Sequence, residues 1–409
     1  MNAVARPPLL AVATALERML ADIEPVETET ISLPFAGGRV LAADLAAKRF
    51  QPPFPASAMD GYAVRAQDVE TVPAKLEVIG QSAAGHGFSG SVGKGQAVRI
   101  FTGAPVPKGA DTIIIQENVD ADNGSILVTT GAAKGKYVRP AGLDFSRGDT
   151  LIKKGSVINP SQLSLAAAMN WDKVPVRRKP VVAIIASGDE LVMPGTEPGP
   201  DQIVASNNFG VAALVERAGG TAMCLGIAED TTEAIDAKLS AARSAQADIV
   251  ITLGGASVGD HDLVQEALKN FGVTMDFWRL AMRPGKPVMY GTARDNGNLV
   301  HYVGLPGNPV SSLVCTLIFV LPMVRKMLGL VSKTETRPAV LAVPLDANDQ
   351  REEYMRATTE VVNGVPHVIP FDKQDSSILT LMAQADCLMI RPAHAPAAKA
   401  GDAVDIIKL

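Results

Sequence analysis

One stretch of the sequence decides the fold: Thr252-Leu253-Gly254-Gly255-Ala256-Ser257-Val258-Gly259-Asp260-His261-Asp262. The apolar run from 249 to 253 predicts a buried strand, and apolar residues at helical spacing from 263 to 271 predict a helix. A glycine-rich loop between them is typical of an anion cradle, because glycines let backbone N–H groups approach a phosphate closely. The candidate binding residues are Gly254, Gly255, Ser257 and Gly259, with Asp262 where a helix N-cap belongs. The alternative is that the glycines only turn the chain and Asp262 only caps the helix.

The surrounding sequence, from about 180 to 329, alternates short β-rich runs with helical periods. Strands are predicted at 181–186, 223–227, 249–253 and 299–303, and helices at 206–218, 232–245 and 263–271. This alternation is typical of a parallel sheet covered by helices. Ligands of such sheets bind outside the carboxyl ends of the strands, so the loops after Ala186, Leu253 and Val303 are the candidate site.

Two of these loops carry further polar residues. The loop after Val303 again joins a strand to a helix and offers Pro306, Gly307, Asn308 and Ser311. The loop after Ala186 reads Ser187-Gly188-Asp189-Glu190. Carboxylates beside an anion cradle would repel a phosphate unless Mg²⁺ or a basic residue intervened, although Asp189 and Glu190 could also simply begin a helix.

The counter-charge is predicted a short way along the chain. Arg279, Arg283 and Lys286 lie within eight residues of each other beside Trp278 and two prolines. Arginine offers planar, two-pronged donors and lysine a compact charge, so the cluster suits a phosphate or another oxyanion. The alternative is ordinary solvated surface charge.

The rest of the chain divides by pattern into further domains. Residues 49–144 are rich in glycine, proline and short β-like runs and predict a mainly β module, inserted into a partly helical segment formed by residues 1–48 and 145–178. The α/β domain spans 179–329. Residues 330–409 return to short alternating runs that predict a small β-barrel or sandwich.

Composition excludes several classes of function. A net charge of -5 argues against a nucleic-acid coat, and no transmembrane segment is expected, because the run from Leu313 to Val324 is too short to span a bilayer. Cys224, Cys315 and Cys387 each lie in an apolar run and predict buried thiols in a reducing compartment, with a cytoplasmic location. The five histidines show no spacing typical of metal ligands.

Taken in order, these motifs resemble the molybdopterin molybdenumtransferases, the MoeA family related to the gephyrin E domain. The resemblance rests on the loops above together with three further stretches, which are Pro53–Ala63, the loop around Thr102, and Arg139-Pro140-Ala141-Gly142-Leu143-Asp144. It implies a multidomain α/β fold: a molybdopterin-binding α/β domain with a parallel-type sheet, an inserted mainly β domain, an extended α/β linker domain and a C-terminal β-barrel.

The resemblance also implies the reaction and its residues. The family inserts molybdate into adenylylated molybdopterin with Mg²⁺ as cofactor and releases AMP, in an active cleft between the subunits of a homodimer. One protomer would present Glu190, Asp230, Asp262, Arg279, Arg283 and Ser311, and the other would bring Asp60, Thr102 and Asp144. Arg356 and Ser376 match positions used near the oxyanion, and Asp189, Glu190 and Asp262 are the candidate Mg²⁺ ligands.

The sequence departs from the family pattern at two places. Arg279 and Arg283 stand where lysines are commoner, which keeps the charge but changes the hydrogen-bond geometry. The stretch Gln374-Asp375-Ser376-Ser377 lacks the usual glycine. Two other functions compete with the transferase: a molybdopterin adenylyltransferase, and a non-catalytic scaffold that binds cofactor intermediates or proteins. Expected partners beyond the substrates are molybdoenzymes or an adenylyltransferase.

Overall fold

The computed structural model of the protein describes residues 9–254, 263–295 and 297–409. The chain divides into two compact units, one formed by residues 29–176 and the other by residues up to 28 together with 177–409. The first helix, α1 (Val12–Ala21), belongs to the second of these units.

The unit 29–176 contains a six-stranded sheet and a smaller region built from strand pairs and one helix. Its elements are β1 (Thr28–Ser32), β2 (Leu45–Ala46), β3 (Ala56–Ser57), β4 (Gly61–Val64), β5 (Ala74–Ser82), β6 (Gln96–Ile100), β7 (Thr112–Ile115), β8 (Val119–Asp122), β9 (Ser125–Val128), β10 (Val138–Arg139), β11 (Thr150–Ile152), α2 (Pro160–Ala168) and β12 (Lys173–Arg177). The sheet has the order β7-β4-β6-β5-β9-β8, while β1 pairs with β12 and β2 with β11. The predicted mainly β module is therefore present.

Helix α2 shows why the sequence folds as it does locally. Asn159 caps it by accepting a hydrogen bond from the Gln162 backbone N–H, and the Gln162 side chain returns one to the Asn159 N–H. Pro160 occupies the first turn, where its missing N–H costs nothing. Ala166 and Met169 pack against Leu41, Leu45 and neighbouring apolar residues, which form the small core of this region.

The second unit begins with the α/β domain. Its elements are β13 (Val181–Ser187), β14 (Leu191–Val192), β15 (Ile203–Val204), α3 (Asn207–Arg217), β16 (Thr221–Ala228), α4 (Thr232–Ser244), β17 (Ile249–Leu253), α5 (Leu263–Asn270), β18 (Thr274–Phe277), β19 (Met282–Arg283), β20 (Met289–Asp295), β21 (Asn298–Leu305), α6 (Pro309–Cys315) and α7 (Leu321–Met327). The main sheet has the order β16-β13-β17-β21-β20-β18. The four strands from β16 to β21 run parallel. Strand β20 is antiparallel to both of its neighbours, β21 and β18, and its connection to β21 is too short for a crossover.

A single apolar helical stretch, Pro309–Met327, runs through α6 and α7 with a π-helical segment, Thr316–Val320, between them. The sequence predicted a shorter apolar run, from Leu313 to Val324, and its length was wrong. The observed helix has 19 residues and is long and apolar enough to cross a membrane. However, 78% of it is buried within the protein, which makes it a core helix.

The chain ends in a β-barrel. It consists of β22 (Arg337–Leu341), β23 (Glu352–Val362), β24 (Val365–Pro370), α8 (Leu379–Gln384), β25 (Cys387–Arg391) and β26 (Ala403–Lys408). The order β23-β24-β22-β26-β25 closes because β25 also pairs with β23, and β19 adds to the outside of β23. Closure removes the exposed strand edges.

The three cysteines do not all behave as predicted. Cys315 and Cys387 are buried thiols, whereas Cys224 is exposed. The reason is topological: Cys224 lies on β16, which is an edge strand of the main sheet. An apolar sequence context alone does not distinguish an edge strand from a central one.

A buried polar pair links the sheet to α1. The Tyr290 hydroxyl lies 2.9 Å from His301 Nδ1 and also donates to the Met19 carbonyl at 3.3 Å. His301 is only 2% exposed, and this burial lowers the pKa of its imidazole to about 4. The ring is therefore neutral in the folded protein at pH 7.

This burial predicts a pH dependence of stability. Below about pH 6.5 the unfolded chain protonates His301 while the folded chain does not, so stability should fall as the pH drops toward 4, by up to about 3 kcal/mol. Urea unfolding of the wild type and His301→Gln across this range measures the effect, and the variant should show a flatter dependence. His86→Gln, at an exposed histidine, is the control and should keep the wild-type slope. Equal slopes for all three proteins would contradict the prediction.

Candidate functional site

Three strand-to-loop junctions meet at the carboxyl edge of the main sheet. β17 lies between β13 and β21, with Leu253 opposite both Ala186 and Leu305. The Gly254 N–H donates to the Leu305 carbonyl at 3.2 Å. The loops that follow the three strands therefore start side by side, as the sequence predicted for ligand-binding loops.

Gly254 is the point of closest approach. Its φ of +96° is in the region that favours glycine, and a Cβ atom there would lie 2.6 Å from the Ser187 carbonyl oxygen. On the other side, a Cβ at Gly307 would be 3.7 Å from the Gly254 Cα. The backbone at Gly254 is thus enclosed by the other two loops, and only glycine fits.

Two hydroxyl groups lie buried at this edge without partners. Ser187 is 5% exposed and Thr252 is 2% exposed, yet neither Ser187 Oγ nor Thr252 Oγ1 has a hydrogen-bond partner among the residues that the structure describes. Buried polar atoms are nearly always hydrogen-bonded in native proteins. These two hydroxyls therefore indicate a place where a polar ligand can be bound.

Two of the neighbouring acidic residues are joined by a hydrogen bond. Asp189 Oδ1 accepts a hydrogen bond from the Asp230 backbone N–H at 2.9 Å, so the structure brings these two predicted residues together. Glu190 folds back over Gly188, whose Cβ position would lie 2.3 Å from Glu190 Oε2. Gly188 has a φ of +146°, and this conformation leaves room for the Glu190 carboxylate.

The carboxylates at this edge suit Mg²⁺ when a bound ligand supplies further oxygen atoms. Within the described ranges no group of three or more His, Cys, Asp or Glu side chains is arranged to hold a metal ion. Mg²⁺ is commonly held by one or two carboxylates together with ligand phosphates and water. Asp189 and Glu190 could supply those carboxylates, so the site fits a Mg²⁺ ion shared with a phosphate-bearing ligand.

Part of the predicted cradle is not described. Gly255, Ser257, Gly259 and Asp262 fall in residues 255–262, which lie outside the described ranges. Their predicted roles in binding phosphate and Mg²⁺ stay predictions.

The third loop is fixed on two sides. The Asn207 side-chain amide donates to the Gly307 carbonyl at 2.6 Å, and the Asn308 amide donates to Ser376 Oγ at 2.7 Å. The Val310 N–H also donates to the Ser376 carbonyl at 3.1 Å. Pro306 is buried and precedes the bend, and Ser311 is only 4% exposed. The structure thus brings Ser376 of the barrel to the loop that carries Asn308.

Asn207 is a site residue that the sequence reasoning did not single out. It is the first residue of α3 and stands at the same sheet edge as the three loops. The available signal was its position, since a polar residue at the start of a helix after a β-rich segment lies at the carboxyl edge.

The predicted basic cluster is partly neutralised. Arg283 Nη2 donates to Glu353 Oε2 at 2.5 Å and reaches Asn348, and its Nη1 lies 3.9 Å from Asp349. Lys286 is exposed, and the Arg279 Nε is buried without a partner in the described part of the chain. Glu353, on the barrel strand β23, could not be linked to Arg283 from the sequence. An oxyanion bound here would compete with Glu353 for Arg283.

Arg356 is buried in the barrel, and its predicted role near the oxyanion stays a prediction. The resemblance implied a position near the oxyanion, and Arg356 is only 1% exposed. Its guanidinium donates to Gln374 Oε1 at 3.2 Å and to the carbonyls of Lys373 at 3.2 Å and Ile378 at 3.0 Å. These bonds use three of the five guanidinium N–H groups. Arg356 holds the loop that presents Ser376 to Asn308.

In the unit 29–176 the structure joins two of the three predicted residues. Asp60 Oδ1 accepts hydrogen bonds from the Thr102 N–H at 2.7 Å and the Thr102 hydroxyl at 2.8 Å. These bonds, the backbone one first, lower the pKa of the Asp60 carboxyl. Asp144 is exposed in the turn after Gly142, and its backbone N–H bonds to the Gln51 carbonyl at 2.9 Å.

Comparison with known families covers almost the whole chain. Residues 10–170 match the MoeA N-terminal region (domain I and II), residues 183–326 match a probable molybdopterin binding domain, and residues 338–409 match the MoeA C-terminal region (domain IV). The fold and site therefore define a multidomain protein built around a molybdopterin-binding type of α/β domain.

Individual relatives agree with this assignment. A molybdopterin molybdenumtransferase of Nostoc sp. is 35% identical over 395 residues, which are 94% of this chain and 89% of the relative. The one from Haemophilus influenzae is 32% identical, over 97% of this chain and 98% of the relative. A crystal structure of the molybdopterin biosynthesis MoeA protein from Pyrococcus horikosii is 31% identical with a TM-score of 0.84, covering 98% of this chain and 99% of that one.

The chain belongs to the molybdopterin molybdenumtransferase (MoeA) family. This confirms the predicted family and multidomain fold class, including the α/β domain, the inserted β module and the C-terminal barrel. It also confirms the predicted role in molybdenum cofactor biosynthesis.

The enclosed position of Gly254 generates a prediction. Gly254→Ala should lower the free energy of unfolding by about 1–3 kcal/mol more than Gly272→Ala. Both glycines have positive φ, at +96° and +90°, but among the described residues a Cβ at Gly272 would meet no atom within 4 Å. The Gly272→Ala control therefore carries the backbone strain alone. Urea unfolding followed by circular dichroism measures both variants, and equal losses would contradict the enclosure of Gly254.

Proposed function

We propose that this protein transfers molybdenum from molybdate to adenylylated molybdopterin and releases AMP. The observation that carries the proposal is the junction of three loops around Gly254. Two buried hydroxyls there have no hydrogen-bond partner among the described residues, and the Asp189 carboxylate accepts a bond from the Asp230 N–H. Relatives of nearly the same length carry the name molybdopterin molybdenumtransferase. Such a site suits a ligand that combines phosphates with a polar ring system.

The loops would hold the substrate through backbone and hydroxyl groups. We assign the phosphate-bearing part to Ser187, Gly188, Gly254 and the loop Pro306–Ser311, because backbone N–H groups at helix starts attract anions. The predicted residues Gly255, Ser257 and Gly259 would extend this cradle. Asn207 and Ser376 would keep the Asn308 loop in place, since each hydrogen-bonds to it.

Mg²⁺ would be held by Asp189 and Glu190, with Asp262 as the predicted third carboxylate. When bound, the ion supplies positive charge that offsets the phosphates of the substrate. Asp230 would act on this group indirectly, because its backbone N–H orients the Asp189 carboxylate.

The oxyanion would be taken up by Arg279, Arg283 and Lys286. Insertion of the metal requires charge neutralisation and positioning rather than a protein nucleophile. Arg283 begins paired with Glu353. If molybdate replaced Glu353 as the partner of Arg283, the positive charge of Arg283 would be balanced both before and after the anion binds.

We further propose that the enzyme is a homodimer of the cytoplasm and that one protomer supplies Asp60, Thr102 and Asp144 to the site of the other. This assignment follows the family resemblance. Delivery of the product to molybdoenzymes, and receipt of the substrate from an adenylyltransferase, would be its contacts with other proteins.

The two competing functions have less support. An adenylyltransferase would need only the α/β domain, whereas the match to MoeA relatives extends over the N-terminal and C-terminal regions as well. A non-catalytic scaffold would not require the Asp230 N–H to orient the Asp189 carboxylate. The variants below distinguish these functions from the transferase.

Glu190→Gln tests the proposed chemistry. It removes a charge beside the phosphates without changing size, and we expect molybdate-dependent AMP release from adenylylated molybdopterin to fall on the order of a hundredfold. Glu197→Gln, an exposed glutamate in the following segment, is the matched control and should keep full activity. A scaffold would be indifferent to both changes, and an adenylyltransferase would instead make the adenylate from ATP and molybdopterin.

Mixing two inactive variants tests the shared site. If each site takes Asp60 from one protomer and Glu190 from the other, equal amounts of Asp60→Asn and Glu190→Gln, exchanged into mixed dimers, should recover about a quarter of wild-type AMP release. Mixed dimers have one intact site, and half of all dimers are mixed. Each variant mixed with itself is the control. No recovery despite exchange, shown with a tagged copy, would place both residues in the site of a single protomer.

A further inference from the structure

Arg99 stands behind the Asp60–Thr102 pair in the inserted β module. It lies on β6 directly opposite Tyr62 of β4, in the register that also pairs Ile100 with Gly61. Its guanidinium carbon is 5.0 Å from the centroid of the Tyr62 ring and 5.0 Å from that of Phe101. Two aromatic rings therefore contact the same cation, which restricts its movement.

The guanidinium also bonds to Gly61 at the start of β4 and to Gln116, which follows the end of β7. Nη1 donates to the Gly61 carbonyl at 3.2 Å, and Nη2 donates to Gln116 Oε1 at 2.7 Å. The Gln116 backbone N–H in turn donates to the Asp60 carbonyl at 3.2 Å. Arg99 thus links Gly61, which follows Asp60, to Gln116, whose backbone N–H bonds to the Asp60 carbonyl.

The same arginine fixes the position of Thr102. Phe101, whose ring lies against Arg99, directly precedes Thr102, and Thr102 bonds to Asp60 Oδ1 through both its N–H and its hydroxyl. In the part of the chain that the structure describes, Asp60 Oδ2 has no recorded donor. Arg99 therefore contacts Gly61, next to Asp60, and Phe101, next to Thr102, while the pair itself remains exposed to solvent.

We propose that Arg99 is a positioning residue that holds Asp60 and Thr102 in one geometry for the reaction. The inference rests on the proposed function, because it takes Asp60 to act on the substrate. The contacts of Arg99 themselves do not depend on that function. Arg99 does not touch the reacting groups. It acts through Gly61, Gln116 and Phe101.

Lysine could not replace these contacts. Two donors in one plane reach two acceptors, the Gly61 carbonyl and Gln116 Oε1, and a flat cation packs against two rings, which a single ammonium group cannot do at once. The positive charge of Arg99 also contributes to the lowered pKa of Asp60, after the two bonds from Thr102. Glu117, which follows Gln116, is a second acidic group near this site, because its Oε1 accepts a hydrogen bond from the Gln116 side-chain amide at 3.5 Å.

The test compares Arg99→Gln and Arg99→Lys with Arg65→Gln in the intact protein. Arg65 is a matched control because it lies in the same module and bonds to Gln67 and Asp68, not to Asp60. In threonine-labelled protein, the chemical shift of the Thr102 backbone amide reports the titration of the Asp60 carboxyl. The Asp60→Asn variant serves to assign this resonance. Arg99→Gln should move this titration to higher pH, and Arg99→Lys should move it less because the charge is kept.

Turnover provides the second readout. Arg99→Gln should lower kcat for molybdate-dependent AMP release by about tenfold or more with little change in KM, because the pair is displaced rather than removed. Unchanged titration at Thr102 in both Arg99 variants, with only a loss of thermal stability, would overturn the inference. If the wild type releases no AMP, the proposed function fails, and the titration still decides the role of Arg99.

Discussion

The contact on which the site depends is the approach of the Gly254 backbone to the Ser187 carbonyl. Parallel pairing of β13, β17 and β21 brings the ends of the three strands side by side, and a glycine with positive φ allows the loops after them to remain in contact. With a side chain at this position the loops would separate. Helix α3 and the loop before α6 are then joined to the same point through Asn207 and Gly307.

Polar contacts extend this arrangement into the barrel. Arg356 is buried and holds the loop that places Ser376 against Asn308, while β19 carries Arg283 to Glu353 on β23. The barrel therefore fixes two edges of the site by long-range contacts. Arg283 near the site has a charged partner, Glu353, that an anionic ligand could replace, and this arrangement suits a reaction based on exchange of charge and on positioning.

Much of this could be predicted from the sequence, and the failures have physical causes. The strands predicted at 181–186, 249–253 and 299–303 are observed at Val181–Ser187, Ile249–Leu253 and Asn298–Leu305. Buried runs followed by glycine-rich loops are local signals, which is why these strands could be predicted. The antiparallel edge of the sheet, the exposure of Cys224 and the burial of Arg356 were not, since they depend on which strands become neighbours. The Asp60–Thr102 bond and the Arg283–Glu353 pair likewise depend on the register between strands distant in sequence. The site loop 255–262 lies outside the described residues, so the predictions for it remain open to test.

The central claim is tested most directly by stoichiometry. Purified protein is incubated with adenylylated molybdopterin and Mg²⁺, with or without molybdate, and AMP and pterin-bound molybdenum are both quantified. The account predicts that AMP appears only with molybdate and that one molybdenum is bound to the pterin for each AMP released. Release of AMP without molybdate, or bound substrate that yields neither product, would contradict it.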